Sequence, residues 1–362
     1  MSDHVVDPPG LKLDSLLQWM AAKLDRVDTS SPLQAALLAG GRSNVSYKLQ
    51  DASGNQWVLR RPPLGHIMPT AHDMGREFRV LTGLNSVNYP TPDAIAYCED
   101  ESVIGAKFML MSFVDGRVID DAPAASKLSE VEADEISREL VDNLARLHEI
   151  TPELAGLDQL GKPLGYLVRQ VKRWGEQWQL TKTRELPEID ALHSWLEAAV
   201  SSLPQDLPSS IVHGDYRIDN VILAPRTSDI VAVLDWEMST LGDPISDLAI
   251  SLVYWTQATD TLRSQVPVAQ GVTNGAGFWT RQQFLDRYVA QTGFDVSHLD
   301  ECVALACFKL AVIMESIHSR NLSGQQLGAA AGANSTMGEA TVALTKLGLA
   351  VTDLGAIPAL NS

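Results

Sequence analysis

The sequence predicts an α+β protein of two unequal lobes, a small β-rich one followed by a large, mainly helical one. Three observations carry this. The chain has 362 residues, more than one compact domain usually holds. Residues 33–112 alternate short apolar runs with turn residues around one amphipathic helix. From residue 126 onward helical periodicity dominates, interrupted by one segment rich in aspartate and short apolar runs. The expected division is residues 1–113 for the small lobe with its leading helix and 114–362 for the large lobe.

Residues 1–10 are polar and read as disordered. In 11–25, Leu13, Leu16, Leu17, Met20, Ala21 and Leu24 recur at helical spacing. Strands are expected at 33–39, 45–50 and 56–60, the last two joined by the turn Asp51 to Asn55. A helix at 73–84 and strands at 94–98 and 107–112 complete the small lobe. The large lobe should hold helices at 126–149, 166–180, 188–202, 244–258, 279–291, 298–321 and 335–352. Segments 259–278 and 321–334, rich in Gly, Gln, Ser and Ala, read as mobile loops.

Composition narrows the partners. Forty-five acidic against 28 basic residues give a net charge of −17, which disfavours nucleic acid and anionic membranes. Cys98, Cys302 and Cys307 have no metal-site spacing and apolar surroundings, as expected of reduced thiols in a cytoplasmic protein. The N-terminus is not a signal peptide, and no apolar run is expected to reach the length of a membrane span. Nothing in the sequence bears on oligomeric state.

The segment 211–248 carries the chemistry. It holds His213, Asp215 and Asn220 in the pattern H-x-D-x-x-x-x-N, then Asp235 at the end of the apolar run Ile230 to Leu234, then Asp243 and Asp247. Phosphoryl transfer needs a carboxylate that orients an attacking hydroxyl and takes its proton, and hard oxygen ligands for magnesium. Asp215 suits the first role, Asn220 and Asp235 the second. Single H-x-D motifs are common; the joint occurrence of this pattern with L-D-W and G-D-P-x-x-D-L-A is specific. Asp243 before Pro244 reads as a turn, and Asp247 as a helix cap or loop tie.

These motifs resemble the catalytic and metal-binding loops of kinase-fold enzymes. They are most similar to the aminoglycoside phosphotransferase and choline kinase-like family, in a subgroup resembling the kinase-like domain associated with acyl-CoA dehydrogenases. The resemblance covers roughly residues 30–320 and implies a protein-kinase-like two-lobed fold. It implies an ATP-dependent enzyme, GTP being the open alternative, with magnesium as the metal. Asp215 is then the catalytic base, His213 a residue that organises the loop, and Asn220 and Asp235 the metal ligands.

The same resemblance assigns the nucleotide end. Gly41, Ser43 and Asn44 lie in a glycine-rich turn that lets backbone approach phosphates. It is not a Walker A loop, because no Gly-Lys-Ser/Thr follows. The third strand should deliver a cation, commonly Lys in these folds; here Arg60 and Arg61 stand at its end. Strand alternation puts them on opposite faces, and Arg60 is the expected phosphate ligand. Glu77 on the following helix is its expected partner. Met111 and Phe113 fall where the hinge would meet the adenine.

The acceptor is a small molecule bearing a hydroxyl. A hydroxyacyl-CoA is preferred by subgroup resemblance; an aminoglycoside-type antibiotic kinase and a pseudokinase without turnover are the alternatives. A metal-dependent hydrolase is disfavoured, since the histidines do not cluster. Arg169, Lys172 and Arg173 share one helical face beside Trp174 and Trp178, which fits either an anionic acceptor or a solvated surface. Glu237, Glu315 and His318 are further acceptor-side candidates.

Overall fold

The computed structural model describes residues 7–38, 44–64, 73–268, 270–322 and 336–361. The chain forms two compact units: Met1–Gly116 with Val231–Ser239, and Arg117–Ile230 with Thr240–Ser362. The loops expected at 1–10 and 321–334 lie largely outside the described residues.

Unit 1 begins with helix α1 (Leu13–Lys23), followed by strands β1 (Gln34–Leu37), β2 (Val45–Gln50) and β3 (Gln56–Arg61), helix α2 (Met74–Ser86), and strands β4 (Ala94–Cys98) and β5 (Phe108–Ser112). The five strands make one antiparallel sheet in the order β1-β2-β3-β5-β4. Strand alternation sorts the side chains of this sheet into two sets. Tyr47, Leu49, Trp57, Leu59, Phe108 and Leu110 pack with Leu13, Leu16 and Met20 of α1 in one apolar core. Val58 and Arg60 therefore project from the other face. Helix α2 starts at Asp73, whose carboxylate accepts from the Arg76 amide at 3.0 Å. It buries Met74, Glu77, Val80, Leu81 and Leu84, spaced by three and four residues. The one charged residue in that stripe is Glu77.

Unit 2 holds helices α3 (Ala122–Ala125), α4 (Glu130–Glu149), α5 (Tyr166–Thr181) and α6 (Pro187–Ser202), then strands β6 (Ser210–Val212) and β7 (Val221–Leu223). Strand β8 (Ile230–Val233) leads into the unit 1 segment, and the chain returns to unit 2 at β9 (Thr240–Gly242), which pairs antiparallel with β6. Helices α7 (Pro244–Tyr254), α8 (Arg281–Thr292), α9 (Leu299–Leu322), α10 (Thr336–Leu354) and α11 (Ala356–Leu360) follow. Ser129 and Glu132 close a capping box on α4, and Thr280 and Gln283 another on α8.

Two expectations need correction. Segment 259–278 was expected to be a mobile loop. Instead Arg263, 1% exposed, donates to the carbonyls of Tyr254 at 3.0 Å and Val268 at 2.7 Å, and the turn is tied to the core. One buried arginine satisfies carbonyls that glycine and glutamine composition gave no hint of. No apolar run was expected to reach spanning length, yet α9 is long and apolar enough to cross a membrane by length and composition. Sixty-seven per cent of that stretch is buried inside the structure, as befits a core helix.

Candidate active site

The candidate residues fall in two clusters, one in each unit. In unit 1 the centre is Arg60, 8% exposed and set on the sheet face away from α1. Its Nε lies 3.1 Å from Glu77 Oε2, its Nη2 donates to Asp235 Oδ1, and Glu237 Oε2 is 3.8 Å away. One guanidinium thus faces three carboxylates. Burial opposes the arginine's charge, but Glu77, Asp235 and Glu237 together raise its pKa above the ordinary value. Burial pushes the Glu77 carboxyl up to about 7; Arg60 pulls against this, while the charges of Asp235 and Glu237 add to it.

Local structure explains how Asp235 reaches Arg60. The Val233 amide bonds the Pro90 carbonyl at 2.8 Å, Trp236 packs edge-on against Tyr89, and Arg76 holds the Ser239 carbonyl at 2.8 Å. Between these ties Asp235 takes a left-handed backbone, φ +66° and ψ +59°, ahead of a short 3-10 turn at Trp236–Met238. That conformation costs a non-glycine residue about 1–3 kcal/mol and concentrates at functional sites. Asn44, 1% exposed, donates to Glu237 Oε2 at 2.8 Å. Glu237, an acceptor-side candidate in the sequence, is engaged here with Asn44 and Arg60 instead. Gly41 and Ser43 lie outside the described residues. Met111 sits in β5 opposite Val58, and the Lys48 ammonium stands 3.8 Å over the Phe113 ring. Arg61, on the opposite face from Arg60, bonds the Gly10 carbonyl.

In unit 2 the centre is the loop from His213 to Asn220, built from hydrogen bonds more than charge. Gly214 has φ +84°, a backbone that side-chain-bearing residues rarely adopt. Asp247 Oδ2 accepts from the His213 amide at 2.6 Å, and its Oδ1 from the Gly214 amide at 2.7 Å. Burial pushes the Asp247 carboxyl up, yet hydrogen bonds and charge from His148 and His213 outweigh it and hold the pKa below the usual value. His148 reaches Asp247 Oδ2 at 3.2 Å and Tyr288 at 2.6 Å. His213 is fully buried, and its Nδ1 accepts from the Asp215 amide at 3.2 Å.

Asp215 is held at both oxygens. Tyr254 Oη donates to Oδ1 at 2.6 Å. Asn220 Nδ2 donates to Oδ2 at 3.1 Å and to the Asp215 carbonyl at 2.8 Å, and Arg217 Nε lies 3.3 Å from Oδ2. Helix α7 organises the first half of the loop from one face. Asp247, Ser251 and Tyr254 stand at i, i+4 and i+7, and they bond the loop at 213 and 214, at the Tyr216 carbonyl and at Asp215 respectively. On the other side Lys309 donates to the Gly214 carbonyl at 2.6 Å; burial lowers its pKa, while Asp215 and Asp247 act against that.

Asp243 caps α7 through the Ile245 amide at 2.9 Å, and its Oδ2 bonds His298 Nε2 at 2.7 Å with the Cys302 thiol 3.9 Å away. So Asp243 is the cap and Asp247 the loop tie. The three cysteines are buried and unpaired by disulfides. The acceptor-side candidates scatter. Arg169 bonds the Leu164 and Lys162 carbonyls, Lys172 pairs with Glu176 at 4.0 Å on the surface, and Arg173 is exposed beside Trp174. Glu315 is buried on Thr183 and Arg184; His318 is half-buried on α9. Sequence reasoning missed Tyr254, Arg217 and Lys309. Tyr254 had a usable signal, its i+7 position from Asp247 on one predicted helix; Lys309, 95 residues from Gly214, had none.

A five-stranded unit presenting an arginine–glutamate pair and a helical unit carrying an H-G-D loop define a kinase-like fold. The chain belongs to the phosphotransferase enzyme family, whose profile matches residues 34–292. It is 35% identical over 301 residues to rat acyl-CoA dehydrogenase family member 11, covering 82% of this chain and 38% of that protein. It is 32% identical over 324 residues to mouse acyl-CoA dehydrogenase family member 10, covering 88% and 29%. The chain thus spans between 29% and 38% of the length of these relatives. A Ralstonia eutropha structure described as a candidate aminoglycoside phosphotransferase superposes with a TM-score of 0.74 at 30% identity, covering 92% of this chain and 98% of that one. Choline kinase from Cryptosporidium parvum shares the fold, with a TM-score of 0.66 at 14% identity over 96% and 98%.

Proposed function

We propose that this chain is a small-molecule kinase that moves the γ-phosphoryl group of ATP, or of GTP, to an acceptor hydroxyl. The observation that carries this reading is the Asp215 carboxylate, held at both oxygens by hydrogen bonds on a loop backed by the buried His213. Asp215 accepts the acceptor's proton as its oxygen attacks phosphorus. His213 keeps the Asp215 amide in place, and Asp247 does the same for the amides of His213 and Gly214. Arg60, oriented by Glu77, offsets phosphate charge. Gly41, Ser43 and Asn44 are assigned to the phosphates, and Met111 and Phe113 to the base.

The residues suit magnesium. Asn220 spends its nitrogen on Asp215, and Asp235 spends Oδ1 on Arg60; among the described residues, Asn220 Oδ1 and Asp235 Oδ2 accept no hydrogen bond. Each leaves a hard oxygen donor, the type that magnesium takes. When bound, the ion would neutralise charge on the phosphates. We favour an acyl thioester bearing a hydroxyl as acceptor, because the relatives carry this segment within polypeptides named as acyl-CoA dehydrogenases. The test is ATP and GTP consumption across hydroxyacyl-CoA esters, hydroxylated metabolites and aminoglycosides, beside thermal shift with Mg-nucleotide. A transfer product with a hydroxyacyl-CoA is expected. No consumption with any acceptor and no thermal shift with either nucleotide would overturn the reading.

A further inference from the structure

A base able to activate an acceptor hydroxyl can equally activate water, which would waste the nucleotide. In both reactions a new P–O bond forms, the bond to the leaving diphosphate breaks, and the attacking O–H proton passes to the carboxylate. Only the occupant of the site next to the base differs. In this structure that site is filled by the protein. The Tyr254 phenol oxygen stands 2.6 Å from Asp215 Oδ1, the separation expected between a general base and the hydroxyl it deprotonates. Oδ2 is already engaged by Asn220 and Arg217.

We propose that Tyr254 is a stand-in for the acceptor: it caps the base against water until a true acceptor hydroxyl displaces it. This rests on the kinase reading of Asp215. Three features suit the role. Tyr254 is 7% exposed, so its ring shields the carboxylate as well as bonding it. The Arg217 guanidinium lies 5.0 Å over the ring, and the same side chain reaches Asp219 at 2.7 Å, so the ring is held from behind. The phenol sits on the face of α7 that also holds Asp247 and Ser251, so the cap is set by the element that sets the loop. Burial first, then Asp215, raises the phenol's pKa well above its ordinary value, so it remains a proton donor to the carboxylate.

The test needs only Mg-ATP and no acceptor. Hydrolysis is measured for the wild type, Tyr254→Phe, and Tyr254→Phe with Asp215→Asn. Phenylalanine keeps the ring and its stacking and removes the donor, so water gains Oδ1. The expected result is acceptor-free hydrolysis several-fold above wild type, with the gain lost in the double variant. Hydrolysis by Tyr254→Phe at or below the wild-type rate overturns the proposal. A melting curve checks the fold of each variant; should Tyr254→Phe not fold, Tyr254→Leu is read by the same criterion. Thermal shift with Mg-ATP separates the two claims. A shift without a gain in hydrolysis removes only the cap, whereas no shift and no hydrolysis in any variant removes the kinase reading too.

Discussion

The Arg60 cluster and the Asp215 loop solve opposite problems. The first brings four ionisable side chains, Arg60, Glu77, Asp235 and Glu237, from three separate stretches of chain around one guanidinium. Its balance is electrostatic, with carboxylates in excess. The second is eight residues of continuous backbone: side chains of α7 and α9 meet the His213 and Gly214 amides and the Gly214 and Tyr216 carbonyls, and the loop's own His213 and Asn220 meet the Asp215 amide and carbonyl. Its balance is hydrogen bonding. A charge cluster is open to a ligand that completes its charge. The hydrogen-bonded loop instead holds both oxygens of one residue, Asp215, and so gives it a fixed direction. Substitutions in the two should therefore fail differently.

The largest expected effect is on turnover. Asp215→Asn keeps the shape and most hydrogen bonds but removes the base, and should cost about 10²–10⁴-fold in phosphotransfer. The melting temperature and Mg-nucleotide thermal shift should stay near wild type. Asp235→Asn should lose turnover and the thermal shift together, because it serves the charge cluster. If Asp215→Asn transfers phosphate at the wild-type rate, the division of roles collapses.

Next is stability in the charge cluster. Arg60→Met leaves Glu77, 3% exposed, facing two further carboxylates without a cation. Breaking one partner of a buried pair costs about 3–5 kcal/mol. Arg60→Met with Glu77→Gln should recover a large part of that loss, since the stranded charge is gone. Chemical denaturation of both variants measures it; strict additivity would mean the pair is not coupled.

The split also shows what was legible in the sequence. The unit 1 sheet and its helix follow from period-two alternation and one amphipathic stripe, signals of nearest neighbours. Alternation also separated Arg60 from Arg61: the structure puts Arg60 among carboxylates and Arg61 on the Gly10 carbonyl. Asp215 and Asn220 could be grouped from the sequence because they are only five residues apart, and the structure joins them by hydrogen bonds. Tyr254 was marked only by its i+7 spacing from Asp247, and Lys309 by nothing, because a lysine in a helix has no preference that marks it; only the fold brings it to the loop. The basic stripe failed for a related reason. Spacing placed Arg169, Lys172 and Arg173 on one face but could not show that Arg169 is consumed by the carbonyls of Lys162 and Leu164.

A smaller effect tests the hydrogen-bonded side through pH. Carboxylates facing His298, Asp243 foremost with Glu301 and Asp295, outweigh the opposing effect of burial and raise its pKa above the usual value. The protonated ring therefore stabilises the fold below about pH 6.5, the ordinary histidine value, and that contribution is lost as pH rises through the folded-state value. His298→Gln should be less stable than wild type by about 1–3 kcal/mol near pH 5.5, as for a charge-assisted bond, and the gap should narrow toward pH 9. A gap that is constant from pH 5.5 to 9 would show that the ring acts by packing alone.

The smallest expected effect concerns the acceptor, where neither cluster decides. If the acceptor is anionic, exposed cations of unit 2 should draw it, and Arg173 beside Trp174 is the member of the basic stripe that, among the described residues, has no hydrogen-bonded duty. Lys172 is already paired with Glu176 on the surface. Charge pairs in that setting are worth about 1 kcal/mol or less, so Arg173→Glu should raise the KM for a hydroxyacyl-CoA only a few-fold. The change should shrink in high salt, and the KM for ATP should not move. Arg169→Ala is the contrasting variant. Its guanidinium fastens the turn ahead of α5, so it should lower the melting temperature and leave the acceptor KM alone. The reverse pattern, with KM following Arg169 and not Arg173, would mean that the turn at 162–164 rather than the exposed stripe meets the acceptor.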